Sequence, residues 1–344
     1  MNHITKLAVF GAFAILANAT AAPAADISPE LIAKAKQEGQ ITYYTDLIVD
    51  QIVRPLTTAF EAKYGIKVAF TRGDSQVNSI KLMNEYRAGR VMADVFGLTS
   101  NMEVLIEAGV VRQFTAANAE ELPPQYRDPN RYWVSSHLFV MTPGFNTGLV
   151  PAAQRPKSYD DLLLPHWKGR MAWKMNDLSG GPGFVGNVLT SMGEQRGMAY
   201  LRKLAGQDIK RVNASARAIL DQVIAGEYTM ALQIFNHHAA ISAQKGAPVD
   251  WLRLSPATVT PGLVGLPKNA PHPNAGLLFV EFMTSKEGQQ IFQKAAYQPA
   301  RPDVPPTVPG LIPTTGGFGA TVITPALTAK SMNHWDKVFA ELFR

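Results

Sequence analysis

Between residues 41 and 97 the chain alternates between β-branched or aromatic stretches and stretches with apolar residues at helical spacing, and nothing else limits its fold as strongly. Ile41-Thr42-Tyr43-Tyr44-Thr45 has the composition of a strand, and Ile52 to Lys63 puts Ile52, Val53, Leu56 and Phe60 on one helical face. Ile66 to Thr71 reads as a second strand, Val77 to Arg90 as a helix and Ala93 to Gly97 as a third strand. Repeated βα units need crossover connections, so the strands should lie parallel with helices covering the sheet, an α/β fold. Tyr132 to Phe145 reads as extended, ending in a turn at Pro143-Gly144. The alternation then resumes, with strands over Arg170–Lys174, Thr229–Phe235 and Val259–Leu266. Helices are expected over Phe184–Met192, Gly197–Ala205, Ala216–Ala225, Ala275–Thr284 and Lys286–Ala295. Seven prolines between Pro299 and Pro325 make that span a surface loop, and Ala326 to Phe343 is a closing helix. At 344 residues the chain suits about two domains, and with no cysteine each must rest on its own apolar core.

The first residues read as an address. Met1 to Lys6 carries one Lys and no acid, Leu7 to Ala17 is apolar, and Ala19-Thr20-Ala21-Ala22-Pro23-Ala24-Ala25 is a run of small residues, the pattern of a secretory signal peptide over residues 1–25. Eleven apolar residues fall short of the roughly 20 that a spanning helix needs. Without a cysteine near the cleavage region there is no lipid-attachment site, so the expected location is the periplasm. The net charge of +6 becomes +5 once Lys6 is removed, and Lys and Arg are scattered without a basic block. Export and scatter together speak against nucleic acid and leave an anionic small ligand as the partner that the charge favours.

Helix starts carry the functional signal. Gly73-Asp74-Ser75 follows a strand and opens a helix, Ser179-Gly180-Gly181 stands between strand and helix, and Asn213-Ala214-Ser215 caps another. The free N–H groups of a first turn at the carboxyl end of a strand suit a negative charge, although the same residues are ordinary caps. Enzyme motifs fail on inspection. Gly73-Asp74-Ser75 resembles a GDS-type esterase turn, but none of the seven histidines has Asp three positions before it. Gly181-Pro182-Gly183-Phe184-Val185-Gly186 fits G-x-G-x-x-G, yet Met175 to Ser179 intervene after its strand and Pro182 removes a donor, which leaves chance or a ligand loop. No covalent chemistry and no cofactor are implied. His237-His238 follows the strand that ends at Phe235. On a continued strand the two rings would point to opposite faces, whereas at a strand-to-helix bend they could share one ion.

The order of Ile41 to Asp46, Gly73-Asp74-Ser75, Ala93-Asp94-Val95-Phe96, Trp167-Lys168-Gly169-Arg170, Gly226-Glu227-Tyr228 and Lys268 to Ala275 with Phe279 to Gln290 resembles the periplasmic solute-binding proteins of ABC importers, iron(III)-type branch. The resemblance covers nearly the whole mature chain. It implies a two-lobed periplasmic-binding-protein fold of type II, with Val140–Asn146 and Val259–Leu266 as hinge crossovers. Lobe one would comprise 26–142 and 267–325, lobe two 143–266, with 326–344 as a C-terminal helix. It also implies a monomer that closes on its solute and docks on ABC permease transmembrane subunits. Ferric members of the branch use adjacent tyrosines where this chain has His237-His238, and a first-loop His where it has Thr45-Asp46-Leu47. Fe(III) favours phenolate and carboxylate oxygen, so this departure points to a phosphonate, sugar phosphate or organic acid. Metal binding through His237 and His238 is the alternative. The expected anion site is Ser75, Ser179, Gly180 and Ser215 at helix starts, Asn236, His237 and His238 as side-chain donors, and Thr45, Asp46, Thr99 and Ser100 facing them. Histidine protonation would then tune affinity near neutral pH, and its loss would weaken binding as pH rises past the ordinary histidine range.

Overall fold

A computed structural model describes residues 27–308 and 310–343; the expected signal peptide lies outside them. In chain order the strands are β1 Gln40–Thr45, β2 Lys67–Arg72, β3 Val95–Leu98, β4 Val111–Arg112, β5 Trp133–Asn146, β6 Met171–Lys174, β7 Lys210–Val212, β8 Met230–Phe235, β9 Val249–Trp251, β10 Ala257–Pro267, β11 Gln298–Pro299 and β12 Ala320–Val322. The helices are α1 Pro29–Glu38, α2 Arg54–Tyr64, α3 Ser75–Arg87, α4 Met102–Glu107, α5 Gly181–Met192, α6 Glu194–Ala205, α7 Ala216–Ala225, α8 Asn236–Gln244, α9 Pro273–Thr284, α10 Lys286–Lys294, α11 Pro313–Gly316 and α12 Pro325–Leu342. Local chemistry sets many of these bounds. α2 and α7 stop where Gly65 (φ 73°) and Gly226 (φ 87°) take the left-handed conformation that closes a helix, and Thr324 and Ser215 cap α12 and α7 through their hydroxyls.

The sheet runs in the order β2-β1-β3-β10-β5-β8-β6-β7. β1, β2 and β3 are mutually parallel, as are β6, β7 and β8, and between the two sets lie the long antiparallel strands β5 and β10. β3 runs against β10 with Leu98 opposite Leu263, and β8 runs against β5 with Phe235 opposite Met141. Each parallel set therefore aims its carboxyl ends at the other. The gap between them is spanned by Ser135 to Met141 of β5, beside Leu263 to Thr258 of β10, about 20 Å of extended chain. Two lobes facing each other across a pair of long strands form the two-lobed α/β architecture.

Two sequence expectations change. Pro143-Gly144 is not a turn, because β5 continues through it to Asn146, with a register irregularity between Thr142 and Gly144 that absorbs the missing proline N–H. The proline-rich span is not all loop, since it contains α11 and β12, and β12 pairs in parallel with the start of β10.

The resemblance-bearing segments have structural work. Asp94 is fully buried, and its carboxylate accepts the Thr42 N–H (2.7 Å) and the His272 N–H (2.6 Å) and meets His272 Nδ1 at 3.0 Å. Glu38 accepts the N–H groups of Asn274 (3.0 Å) and Ala275 (2.7 Å) at the start of α9. Two carboxylates thus fasten β1, β3 and α1 to the first turn of α9, a helix buried almost all round. In the second lobe, Trp173 packs edge-on against Phe339 (5.1 Å) and Phe343 (4.7 Å), so α12 shares the core of α5 and α6.

Candidate functional site

The two facing edges differ in chemistry. On the first, β1 delivers Thr45 and Asp46. Thr45 is buried, and its Oγ1 accepts the Leu47 N–H at 3.1 Å, which shapes the turn. Asp46 Oδ2 accepts the Ser75 hydroxyl at 2.7 Å, the Thr99 N–H at 2.9 Å and the Thr99 hydroxyl at 2.8 Å. Burial raises the Asp46 carboxyl above its ordinary range, and the hydrogen bonds from Ser75 and Thr99 counter only part of that. The donors expected to hold an external anion at the start of α3 are thus committed to a side chain of the protein, which corrects the expected role of Ser75. Thr99 and Ser100 line a cavity of about 350 Å³ that Leu178 closes from the second lobe and Met332 of α12 from the side.

The second edge carries cations. Lys174 ends β6 and its Nζ pairs with Asp177 and reaches Ser179 Oγ at 3.3 Å; the Ser179 hydroxyl donates to Asp177 Oδ1 at 2.7 Å. Gly180 caps α5 in a place where a Cβ would press on the Lys174 and Asn176 carbonyls. Ser215 is exposed and spends its oxygen as an acceptor for the Ala218 N–H at 3.1 Å, an ordinary cap. Two residues on, Arg217 donates to Ser242 Oγ (2.9 Å) and the His238 carbonyl (3.4 Å) while pairing with Asp221. Asn236 donates to the Leu311 carbonyl at 2.7 Å, leaving its own Oδ1 unpartnered.

His237 and His238 stand in the first turn of α8, at a strand-to-helix bend, with ring centroids 4.3 Å apart. His237 is wholly buried, both its ring nitrogens lack a partner, and it packs against Tyr297 (5.2 Å) and Phe139 (6.1 Å). Burial holds its pKa well below the ordinary value, helped by the neighbouring His238, His137 and Arg217. Burial likewise takes His238 to about 4, with Arg217 adding to the shift. Both shifts favour the uncharged ring near neutral pH, which speaks against the expected histidine-tuned affinity. Among the described residues no three His, Cys, Asp or Glu side chains are placed to hold an ion together.

Sequence reasoning missed Lys174, Arg217 and Tyr297. Arg217 left a trace, because a cation in the first turn of a helix opposes the helix dipole and so calls for another partner. Tyr297 left none. It follows Ala296, which holds an unusual φ of 60°, and its ring covers His237 from the first lobe, where burial pushes its hydroxyl up to about 12. The G-x-G-x-x-G match is neither chance nor a ligand loop. Its glycines lie inside buried α5, where a Cβ on Gly181, Gly183 or Gly186 would meet Phe339, the Leu178 carbonyl or Trp335.

A family profile described as bacterial extracellular solute-binding protein matches residues 15–298. The Fe(3+)-binding periplasmic protein of Serratia marcescens is 26% identical over 263 residues, 71% of this chain and 73% of that protein. Iron-bound HitA from Pseudomonas aeruginosa superimposes with a TM-score of 0.73 at 22% identity, covering 88% of this chain and 99% of that one. AfuA from Actinobacillus pleuropneumoniae, a periplasmic binding protein with fructose-6-phosphate bound, gives 0.71 at 18% identity over 88% and 99%.

Proposed function

This chain belongs to the bacterial extracellular solute-binding protein family, iron(III)-type, and as a periplasmic substrate-binding protein of ABC importer type we propose that it captures a small organic anion between its lobes. The observation that carries this reading is the pair of cations, Lys174 and Arg217, at the carboxyl-end edge of the second lobe beside the starts of α5 and α8. A negative group has both charge and helix-terminus support there. The first lobe offers the opposite character. Because Asp46 already fills the start of α3, that edge presents a carboxylate, which favours hydroxyl or amine donors on the solute. A hydroxylated anion such as a sugar phosphate satisfies both edges, with Ser179, Gly180 and His238 on one side and Thr99 and Ser100 on the other, whereas Asn236 and His237 are buried behind that edge. Phosphonates and organic acids meet the second edge alone.

In this reading residues 26–142 and 267–325 form lobe one and 143–266 lobe two. The leader is removed after about residue 25 on export. A solute that touches both lobes stabilises the closed form by its differential affinity, and the closed form docks on the permease subunits. A second reading, Fe(III) as cargo, is favoured by the iron-binding relatives. A thermal-shift screen of the metal-stripped mature protein against sugar phosphates, phosphonates, organic acids and Fe(III) with or without citrate separates the two. A ligand at 100 times its dissociation constant adds about 2.7 kcal/mol, a shift of several degrees. A shift with sugar phosphates supports the proposal; a shift with iron alone overturns it.

A further inference from the structure

A second concavity, of about 410 Å³, lies on lobe two and shares no lining residue with the facing edges. One wall is a single face of α6, with Arg196 and Lys203 two turns apart and Tyr200 between them; Lys157 stands on the opposite wall. The floor is closed to polar ligands, because the Tyr200 hydroxyl donates to the Tyr159 carbonyl at 2.8 Å and the Tyr159 hydroxyl to the Pro256 carbonyl at 2.6 Å. All three cations are exposed, and none takes part in an ion pair among the described residues.

Acids nearby do not balance them. Asp160 is the single carboxylate in the lining, and the neighbouring Asp161 is engaged by the N–H groups of Lys157 (2.7 Å) and Ser158 (2.9 Å). Three like charges around one concavity repel each other unless a counter-charge sits between them. A tetrahedral dianion fits that need, since its oxygens can accept from a guanidinium and an ammonium on the α6 wall and from the Lys157 ammonium on the other. We propose that this cavity is a second anion site, which takes a phosphate group borne by a small solute or by a lipid headgroup. The proposal stands independently of the cleft reading, because no residue is shared.

The test is equilibrium dialysis of the mature protein against labelled orthophosphate, with three variants. Lys157→Ala/Arg196→Ala/Lys203→Ala should weaken phosphate binding at least about tenfold, the loss of roughly 1.4 kcal/mol or more of charge-assisted hydrogen bonding. A charge-matched control, Arg87→Ala/Arg90→Ala/Lys330→Ala, should leave it within about twofold, as distant exposed charges are screened. The side chains are exposed, so the fold should persist, and circular dichroism checks that. Equal loss in both triples would mean general charge attraction and overturns the proposal, as does unchanged binding in the first triple. Loss confined to Lys174→Ala/Arg217→Ala places phosphate in the cleft and also overturns it. Sedimentation with phosphatidylglycerol vesicles against phosphatidylcholine vesicles then identifies the source. Pelleting with the anionic vesicles that the first triple abolishes assigns a headgroup; phosphate binding without pelleting assigns a free solute.

Discussion

Ser75 donates its hydroxyl to Asp46 Oδ2 at 2.7 Å across 29 positions of sequence, so the start of α3 holds a carboxylate of its own. The same oxygen accepts both groups of Thr99, which ties the loops after β1 and β3 together at the cleft edge. The Ser75 and Thr99 hydroxyls expected to meet an external anion are thus spent on Asp46, and this edge carries a carboxylate instead.

Replacing Asp46 separates its charge from its acceptor role. Asp46→Ala leaves the Thr99 N–H and the Ser75 hydroxyl without their acceptor, and should cost about 1–3 kcal/mol in urea denaturation. Asp46→Asn keeps an acceptor and removes a charge that burial penalises. Because the folded carboxyl pKa is raised, the wild-type side chain contributes fully below its unfolded value and loses that contribution as pH rises. The stability of Asp46→Asn relative to wild type should therefore improve from about pH 4 towards pH 7, the range above the unfolded aspartate pKa.

Arg217 should matter for solute and little for stability. Its partner Asp221 is mostly solvated, so Arg217→Ala should change stability by less than about 1 kcal/mol. Solute affinity, read by titration calorimetry with a ligand from the screen, should fall at least about tenfold with the loss of one charge-assisted contact. Unchanged affinity would remove Arg217 from the site.

Affinity for a solute that does not itself titrate there, such as a simple carboxylate, should be flat between about pH 5.5 and 8, because burial holds His237 and His238 uncharged in that window, whereas a phosphate ester changes its own charge at about pH 6. Stability should behave differently at lower pH. The folded pKa values of His137 (about 3) and His238 (about 4) lie below the unfolded value of 6.5. The unfolded chain therefore binds more protons between those values, and stability falls as pH drops from 6.5 towards 4. Each such histidine contributes a slope of up to about 1.4 kcal/mol per pH unit. His137→Phe should flatten the acid limb of a melting-temperature profile; an unchanged limb would show that this ring is not the cause.

Gly183→Ala tests the glycine-rich start of α5. A Cβ there overlaps the Leu178 carbonyl, which is backbone and cannot step aside, so a loss of about 1–3 kcal/mol is expected from overpacking. A ligand-loop role would instead show as altered solute binding with an unchanged melting temperature.

Much of the fold was legible in the sequence because its cues are local. The β-branched run at Ile41 to Thr45 and the helical spacing from Ala216 to Ala225 each describe neighbours within one element, and both elements form with those bounds or within one residue of them. The segments that carry the family resemblance proved to be fasteners of the fold. Asp94 and His272, 178 positions apart, hold the start of α9 to the sheet. Helix starts were legible as well, but their use was not. Ser215 turned out to be a cap, Ser75 a donor to Asp46, and Gly183 a close-packing residue.

What the sequence determined by itself is the succession of strands and helices, the helix boundaries set by Gly and Ser, and the family. Only the tertiary structure decided which of those helix starts remain open to a ligand, that His237 would be buried against Tyr297 and Phe139, and that Lys174 and Arg217 would pair with Asp177 and Asp221 beside the helix starts of the second lobe. Periodicity and capping report on residues a few positions apart. Whether a hydrogen-bond donor is free or a ring is charged depends on groups brought near by the antiparallel pairing of β5 and β10, and a partner 29 or 178 positions away leaves no local mark on the chain.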